Sequence, residues 1–316
     1  MKIPSIFNKI ADLLVAPSLP ARALSINESS LVFVALRHRG GEYESTRAGV
    51  VNLPPGLIRT GFEQPNIQDE ARFREQLDQL ADQVGIRRMG RLSVALPPGS
   101  ARTFVISLDS VPSSKTEMMQ LVDWKVERAI GYPLEQLRIS RHRLSDLDGL
   151  PHWLIGVVHQ SVISQYESVF NRLGWRAGLI TPRAIGEASW LLRDKTRGDH
   201  LLVSVNVAGF QLIVIRAGEP ILIRDVECAP GEVENEFYRL MIYYRDRLNP
   251  EGASPRMDGI LTIGTPADQQ FFRDLVTAAL EQSVVSLSAS QVGLKLDPGF
   301  TLQQLAAPAG LAALAR

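Results

Sequence analysis

The chain carries the polar pair Ser-x-Asn at the ends of two short apolar runs. The first run, "ALSIN", ends in Ser25 and Asn27, and the second, "LLVSVN", ends in Ser204 and Asn206. A serine hydroxyl offers a ligand a dipole without a formal charge, and asparagine tolerates the left-handed backbone angles that tight turns use. These four residues are the first candidates for a ligand site, and both copies must be positioned by the fold.

Other residue types that perform chemistry do not form recognisable motifs. The sequence contains no Gly-x-x-x-x-Gly-Lys phosphate loop, no Gly-x-Ser-x-Gly elbow and no His-Glu-x-x-His zinc helix. Its five histidines are scattered without ligand spacing. The single cysteine, Cys228, excludes an internal disulfide and a Cys-rich metal site, which suits a reducing compartment.

Composition limits the class of protein. A chain of 316 residues with 45% hydrophobic and 22% charged residues is typical of a globular protein with two domains or lobes. Lys plus Arg and Asp plus Glu both number 34, so no global field attracts nucleic acid or a membrane. The basic stretches at 37–47 and 138–144 lack interleaved aromatic residues, which argues against nucleic-acid binding.

The first 18 residues form a segment of their own. Apolar residues recur there at helical spacing, which predicts a short amphipathic helix that ends before Pro17. Asn8, Lys9 and Asp12 interrupt what would be the apolar core of a secretion signal, so that interpretation is rejected. Two alternatives stay open: the helix packs on its own domain, or it docks on a partner or membrane surface.

The rest of the chain shows one order of elements twice. Three strands, a helix, a strand and a helix are indicated in the first half, where the first helix is predicted at 66–84. The second half repeats the order with helices predicted at 233–248, 267–280 and 302–315. Such a repeat indicates a duplicated α/β domain.

An insertion interrupts the first copy between residues 103 and 179. Its pattern predicts a strand, a helix at 115–130, two strands and a helix at 160–173. A strand and a helix from "GLITPRAIGEASWLL" then return to the first domain. We expect the insertion to be a subdomain at the rim of a cleft.

This combination resembles the actin-like ATPase superfamily, and specifically the PilM family of type IV pilus assembly proteins. The segments that carry the resemblance are "DWKVERAIGYPLEQLRIS", "NRLGWRAGLITPRAIGEASW", "IRAGEPILIRDV", "ENEFYRLMIYYRDR" and "AAPAGLAALAR". It implies an actin-like fold of two ribonuclease H-like domains with an inserted α+β subdomain in the first. The predicted division is 1–18, 19–198 and 199–316, with the insertion at about 103–179.

The resemblance also interprets the Ser-x-Asn pairs. In nucleotide-binding relatives, the first strand of each half ends in a motif like Asp-Ile-Gly, whose acid holds the metal and whose glycine lets the backbone approach the phosphates. Ser25 and Ser204 stand at the acid positions, and Asn27 and Asn206 at the glycine positions. This replacement predicts a degenerate nucleotide cleft, with no catalytic residue, no metal and ATP with Mg²⁺ disfavoured.

Two further departures agree with a degenerate cleft. The chain runs almost directly from "RDVECAPGE" into a helix, so a lobe that the family inserts there is predicted to be much reduced. Gly264 stands where the family has a glycine pair near the base, and its alternative role is a strand-to-helix turn before the N-cap Thr265. The loop at 95–103 offers no acid as a base, which disfavours a sugar-kinase relative.

The resemblance implies a function as well. It suggests a cytoplasmic scaffold at the inner membrane that binds the N-terminal peptide of a PilN-like single-span membrane protein, with other pilus components or a second copy as further partners. Trp124, Tyr132 and Leu134 are candidates for the insertion's part of a peptide groove, with core packing as the favoured role of Trp124. The alternative is an active actin-like ATPase that gates assembly.

Overall fold

Two sheets with the same strand order form the framework of the molecule. The computed structural model describes residues 19–86, 90–146, 149–193, 198–248 and 256–315. The strands are β1 (Arg22–Ile26), β2 (Ser30–Arg39), β3 (Glu42–Asn52), β4 (Arg91–Leu96), β5 (Arg102–Ser107), β6 (Leu137–Arg143), β7 (His152–His159), β8 (Arg176–Pro182), β9 (Asp199–Asn206), β10 (Gly209–Arg216), β11 (Glu219–Glu227), β12 (Met257–Ile263), β13 (Val285–Ser286) and β14 (Leu294–Lys295).

Helices cover the sheets and fill the layer between them. They are α1 (Glu70–Gln83), α2 (Lys115–Ile130), α3 (Gln160–Arg172), α4 (Arg183–Ala188), α5 (Val233–Arg247), α6 (Pro266–Leu280) and α7 (Leu302–Ala312), with 3₁₀ turns at Leu134–Gln136 and Pro230–Glu232. Among the described helices, none is long and apolar enough to cross a bilayer. The amphipathic helix predicted within residues 1–18 lies outside the described residues.

The two sheets confirm the predicted duplication. The first has the order β14-β3-β2-β1-β4-β8 and the second β11-β10-β9-β12-β13. In each, three consecutive strands pair antiparallel, and the next strand pairs parallel with the first of them. The fold is therefore the α/β, actin-like arrangement of two related halves.

The first sheet is buried on both faces, which its sequence dictates. In β2, Leu31 and Phe33 point to the core beneath the outer helices α1 and α3, while Val32 and Val34 point to the core shared with α4 and α7. Because successive side chains of a strand alternate between faces, a run of apolar residues must be covered on both sides. This requirement creates a layer of helices between the two sheets.

The middle layer joins the two halves. Helices α4 and α7 pack against strands of the first sheet, and their apolar cluster also contains Leu202 and Ile213 of the second sheet. At their crossing, a Cβ on Gly310 would overlap the carbonyl oxygen of Gly186, so both positions require glycine. The Trp190 indole N–H donates to the carbonyl of Ala306 at 2.8 Å.

The end of the chain packs with the first half. Strand β14 pairs with β3, and α7 lies against β1, β2 and β4. The sequence division at residues 198 and 199 remains a prediction, and the structure adds that residues 294–312 contribute to the core of the first sheet.

The insertion has its own small sheet, of order β5-β7-β6, covered by α2. Val122 and Val126 of α2 pack on Ile155 and Val157 of β7. The following helix, α3, lies between the insertion and the first sheet: it contacts β6 and β7 of the insertion, and its buried face is part of the outer core of the first sheet. The predicted boundary at 179 remains a prediction.

Helix α1 begins later than the predicted residue 66. The buried Asn66 donates from Nδ2 to the carbonyls of Gly61 and Gln64, and its Oδ1 accepts from Ser100 Oγ at 2.5 Å. These bonds hold a loop instead of a helical turn. The helix starts after Asp69, whose side chain accepts the N–H of Arg72.

Candidate functional site

The end of strand β1 holds the first Ser-x-Asn pair. Ser25 is only 1% exposed, and its Oγ has no hydrogen-bond partner among the described residues. Asn27 opens the β1–β2 turn, where its backbone N–H donates to the carbonyl of Ser30 at 2.9 Å. Ser25 is therefore an internal residue, and only Asn27 presents a polar group to the cleft between the halves.

Asn27 is engaged by an arginine. Its Oδ1 accepts a hydrogen bond from Nη1 of Arg183, the first residue of α4. Arg183 also donates from Nε to Glu187 Oε1 at 2.6 Å and from Nη2 to the carbonyl of Gln303 at 2.7 Å. A guanidinium group thus stands where the predicted glycine position would have left room for a ligand.

The end of strand β9 holds the second pair. Asn206 Oδ1 accepts the backbone N–H of Ala208 at 2.9 Å, which closes the turn to β10, and Val207 at its tip is fully exposed. Ser204 lies beside Gln211 of β10 and Ile263 of β12 in the second sheet. Here the asparagine stabilises its own turn and leaves the opposite half untouched.

A small cavity separates the two strand ends. It has a volume of about 20 Å³, and its lining comes from both halves: Pro97, Pro98, Gly99, Ala101, Pro182, Arg183, Ala184, Ser204, Asn206, Gln211 and Asp225. A volume of that order holds about one water molecule. Of the five predicted cleft residues, the structure brings Ser204 and Asn206 to this cavity directly, and Asn27 through Arg183.

Gly264 is not among the residues that line the cavity. It ends β12 beside Val205, and a Cβ there would press on the side chain of Asp268. Thr265 and Asp268 form a capping box: Thr265 Oγ1 accepts the N–H of Asp268 at 3.2 Å, and Asp268 Oδ2 accepts the N–H of Thr265 at 2.7 Å. The structure therefore uses Gly264 as the strand-to-helix turn that was the alternative interpretation.

Ion pairs tie the insertion to the second half across the cleft. Arg102 of β5 lies 3.4 Å from Asp225 and 3.9 Å from Glu227 of β11. Burial raises the pKa of Asp225, and the neighbouring Arg102 partly offsets that rise. At another point of contact, the side chain of Glu219 accepts the N–H of Ser145 at 2.8 Å and its Oγ–H at 3.0 Å.

The loop from Pro97 to Ser100 lies in the connection between β4 and the insertion's first strand, β5. Ser100 Oγ donates to the buried Asn66, whose Oδ1 also accepts from the Tyr166 hydroxyl at 3.4 Å. No acidic side chain lies within this loop. The connection between β11 and α5 is equally short, since only the 3₁₀ turn Pro230–Glu232 intervenes.

A second candidate region lies where the insertion meets the first half. The ring of Tyr132 is 5.9 Å from that of Phe62 and 5.7 Å from that of His159, and these three residues form what we call the junction cluster. A hydrogen bond to Glu63 raises the pKa of Tyr132. Leu134 is partly buried against the core of the insertion.

An open groove is lined in part by residues that lie just before Phe62 of the junction cluster in the sequence. It has a volume of about 420 Å³ and is lined by Glu28, Ser29, Leu53, Pro55, Gly56, Ile58, Arg59 and Thr60. Its apolar floor contains the buried Leu53 and Ile58, and its rim carries the exposed Glu28 and Arg59. Thr60 Oγ1 donates to Glu28 Oε1 at 2.6 Å, which fixes one wall.

Trp124 was wrongly expected in the core. Its side chain is 51% exposed on α2, with the guanidinium of Arg128 over its ring at 5.4 Å from the centroid. The buried face of α2 is instead formed by Val122 and Val126, each two residues away from Trp124. Within the described residues, no group of three or more His, Cys, Asp and Glu side chains could hold a metal ion.

Sequence reasoning missed Arg183 and Glu187. They stand four residues apart in "ITPRAIGEASWLL", a spacing that usually indicates an exposed helical ion pair. In the structure Glu187 is fully buried and the Arg183 side chain is 14% exposed. The available signal was the apolar context of "ITPRAIGEASWLL", which leaves no polar face for an exposed pair.

The chain is similar to known proteins in structure. No protein-family model and no curated protein sequence matches the chain. Among solved structures, the chain is similar to a Bacteroides thetaiotaomicron protein with an actin-like ATPase fold and unknown function, at 11% identity, 90% and 95% coverage of the two chains and a TM-score of 0.48. The cytoplasmic domain of EpsL, an inner membrane component of the type II secretion system of Vibrio cholerae, gives 11% identity, 93% and 94% coverage and a TM-score of 0.47.

A more specific similarity is found with a PilM–PilN type IV pilus biogenesis complex. The match covers 95% of this chain and 98% of the other chain, with a TM-score of 0.71 and 16% sequence identity. Together with the duplicated strand order, it shows a PilM-like, actin-like ATPase fold over nearly the whole chain.

Proposed function

We propose that this protein is a cytoplasmic scaffold of the inner-membrane assembly platform of a type IV pilus or a related secretion system. Its partner would be the short N-terminal peptide of a PilN-like single-span membrane protein. The observation that carries the proposal is the similarity of nearly the entire chain, insertion included, to a chain of a PilM–PilN complex. Other platform components and a second copy of the chain are further partners in this proposal.

The junction cluster and the adjoining groove are the proposed peptide site. The groove supplies an apolar floor and opposite charges at its rim, and Thr60 at its end is two residues from Phe62 of the cluster. A short peptide that inserts apolar side chains would gain from such a floor, while the rim would select its polar groups. Tyr132 and Leu134 would contribute the insertion's side of the site.

The scaffold role is proposed without nucleotide chemistry. The cavity of about 20 Å³ that Ser204 and Asn206 line is too small to hold a nucleotide, and the neutral Ser25 and Ser204 supply no carboxylate for a metal. These observations support a degenerate cleft and disfavour the alternative, an ATPase that gates assembly. Peripheral association with the inner membrane would then come from the partner.

A peptide titration tests the proposal. Fluorescence anisotropy would follow a labelled peptide with the N-terminal sequence of the single-span membrane protein encoded beside this chain. We expect saturable binding to the wild-type protein and at least tenfold weaker binding to Tyr132→Ala, because the aromatic contacts with Phe62 and His159 are lost.

Tyr243→Ala is the matched control. Tyr243 is an exposed aromatic residue of α5 in the second half and is not part of the junction cluster, so its removal should leave the affinity unchanged. Absence of binding by the folded wild-type protein would overturn the scaffold proposal. Calorimetry with ATP and Mg²⁺ tests the alternative function, because micromolar affinity for the nucleotide would favour an active ATPase over a scaffold.

A further inference from the structure

The guanidinium of Arg183 is fully engaged inside the cleft. Its three nitrogens have three acceptors on different elements: Glu187 Oε1 on α4, Asn27 Oδ1 at the end of β1, and the carbonyl of Gln303 in the first turn of α7. A planar guanidinium directs its N–H groups outward in a fixed fork, which an ammonium group cannot reproduce. The three acceptors therefore define a site shaped for this cation.

Glu187 supplies the negative charge of the site. Its side chain is fully buried, and Oε2 has no hydrogen-bond partner in the described part of the chain. Removing a carboxylate from water is costly unless a cation lies against it. Because Arg183 forms an ion pair with Glu187, the charge of the buried carboxylate is balanced by this guanidinium.

The same guanidinium faces the second half. Arg183 lines the small cavity together with Ser204 and Asn206 of β9 and with Asp225 of β11. The residue thus joins the first strand of one half to the C-terminal helix and lines a cavity that also reaches the other half. That cavity has the volume of about one water molecule.

We propose that Arg183 is a built-in ligand of the cleft. Its guanidinium takes up part of the cleft on the side of the first half and fixes the end of β1 to α7, so that this wall of the cleft is held in place without any external ligand. The consequence for regulation is that the arrangement of this wall does not respond to nucleotide. This inference does not depend on the identity of the scaffold's partner.

Arg183→Ala tests the proposal by chemical rescue. The variant keeps Glu187, Asn27 and the Gln303 carbonyl around an empty site, so millimolar guanidinium should bind there and recover at least half of the loss in melting temperature. Equal concentrations of sodium chloride and ammonium chloride should not. Arg37→Ala is the matched control, because Arg37 forms an exposed pair with Glu44 and has no enclosed site to refill.

Amide hydrogen exchange is the second measurement. It is made on Arg183→Lys, which can be used even if Arg183→Ala does not fold. The lysine retains the charge beside Glu187 but cannot reach all three acceptors. We expect faster amide exchange at the β1–β2 turn and in the first turn of α7, with unchanged exchange in the insertion. In the wild-type protein, ATP with Mg²⁺ should change none of these rates.

Three results would overturn the inference. One is recovery of Arg183→Ala by sodium or ammonium ions to the same extent as by guanidinium. Another is an Arg183→Lys protein whose exchange pattern equals that of the wild type. The third is nucleotide-dependent protection at the strand ends of the wild-type protein. The peptide titration is read independently, so loss of the partner proposal leaves these outcomes unaffected.

Discussion

The two halves of the molecule have the same topology but differ where their first strands end. In the first half, Asn27 accepts a hydrogen bond from Arg183 of another element. In the second half, Asn206 accepts from Ala208 within its own turn. The comparison teaches that a symmetric sequence pattern can serve an asymmetric site, because the residues that complete the site lie outside the repeated strands.

The largest effects of substitution on stability are expected in the middle layer, which the two halves share. Helices α4 and α7 approach closely at Gly186 and Gly310, and a side chain at either position meets backbone atoms of the other helix. Backbone at such a contact cannot move aside like a flexible side chain. The layer therefore depends on two glycines whose role is purely steric.

Gly310→Val is expected to have the largest effect. The added side chain would force the two helices apart and separate both halves from their common core, at a cost of about 3 kcal/mol or more in the free energy of unfolding. Urea denaturation followed by circular dichroism would measure it. Gly231→Ala is the control, because a Cβ at Gly231 meets no atom within 4 Å. Equal stability of the two variants would contradict the close crossing.

The sequence predicted the framework well because alternation and helical spacing are local signals. The order of strands and helices in both copies, and the insertion's strand-helix-strand-strand pattern, are confirmed by the sheets. The start of α1 was wrong because hydrogen bonds of Asn66 with Ser100 and Tyr166, far along the chain, override the helical pattern. The assignment of α3 to the insertion remains a prediction, since the helix contacts both the insertion and the core of the first sheet.

The site could be predicted only in part. The strand-end residues were proposed because they repeat, and Gly264 was proposed by position. The structure places Ser204 and Asn206 at the cavity, whereas Gly264 is not among its lining residues. Arg183 could not be found in this way, since an Arg and a Glu four residues apart indicate an exposed pair in most helices. Arg183 donates a hydrogen bond to α7, more than 100 residues later in the chain. A local sequence pattern cannot indicate such a distant contact.

Parallel substitutions at the two strand ends sharpen the comparison. Asn27→Gly removes an acceptor from a charged donor and should cost about 2 kcal/mol. Asn206→Gly removes a neutral bond within a turn and should cost about 0.5 to 1 kcal/mol. Urea denaturation of both variants measures the difference. Equal costs would show that the asymmetry between the halves has no energetic consequence, and each variant serves as the control for the other.

The smallest expected effect concerns the ion pair that joins the insertion to the second half. Burial raises the pKa of Asp225 above its ordinary value of 3.8, although Arg102 opposes this. A raised pKa means that the folded protein holds this proton more tightly than the unfolded chain. The stability that the proton contributes is complete below the unfolded pKa and is lost as the pH rises through the folded pKa.

Asp225→Asn keeps the neutral form at every pH. The free energy of unfolding of the variant minus that of the wild type should therefore increase as the pH rises from about 4 towards about 7. We expect a change below about 1 kcal/mol, since the side chain is 25% exposed and solvent screens the pair. Urea denaturation at a series of pH values measures it, and Asp109→Asn, at an exposed carboxylate, controls for the loss of a surface charge. A difference that decreases with pH would mean that Arg102 outweighs burial and that this contact holds the insertion against the second half most firmly in its charged form.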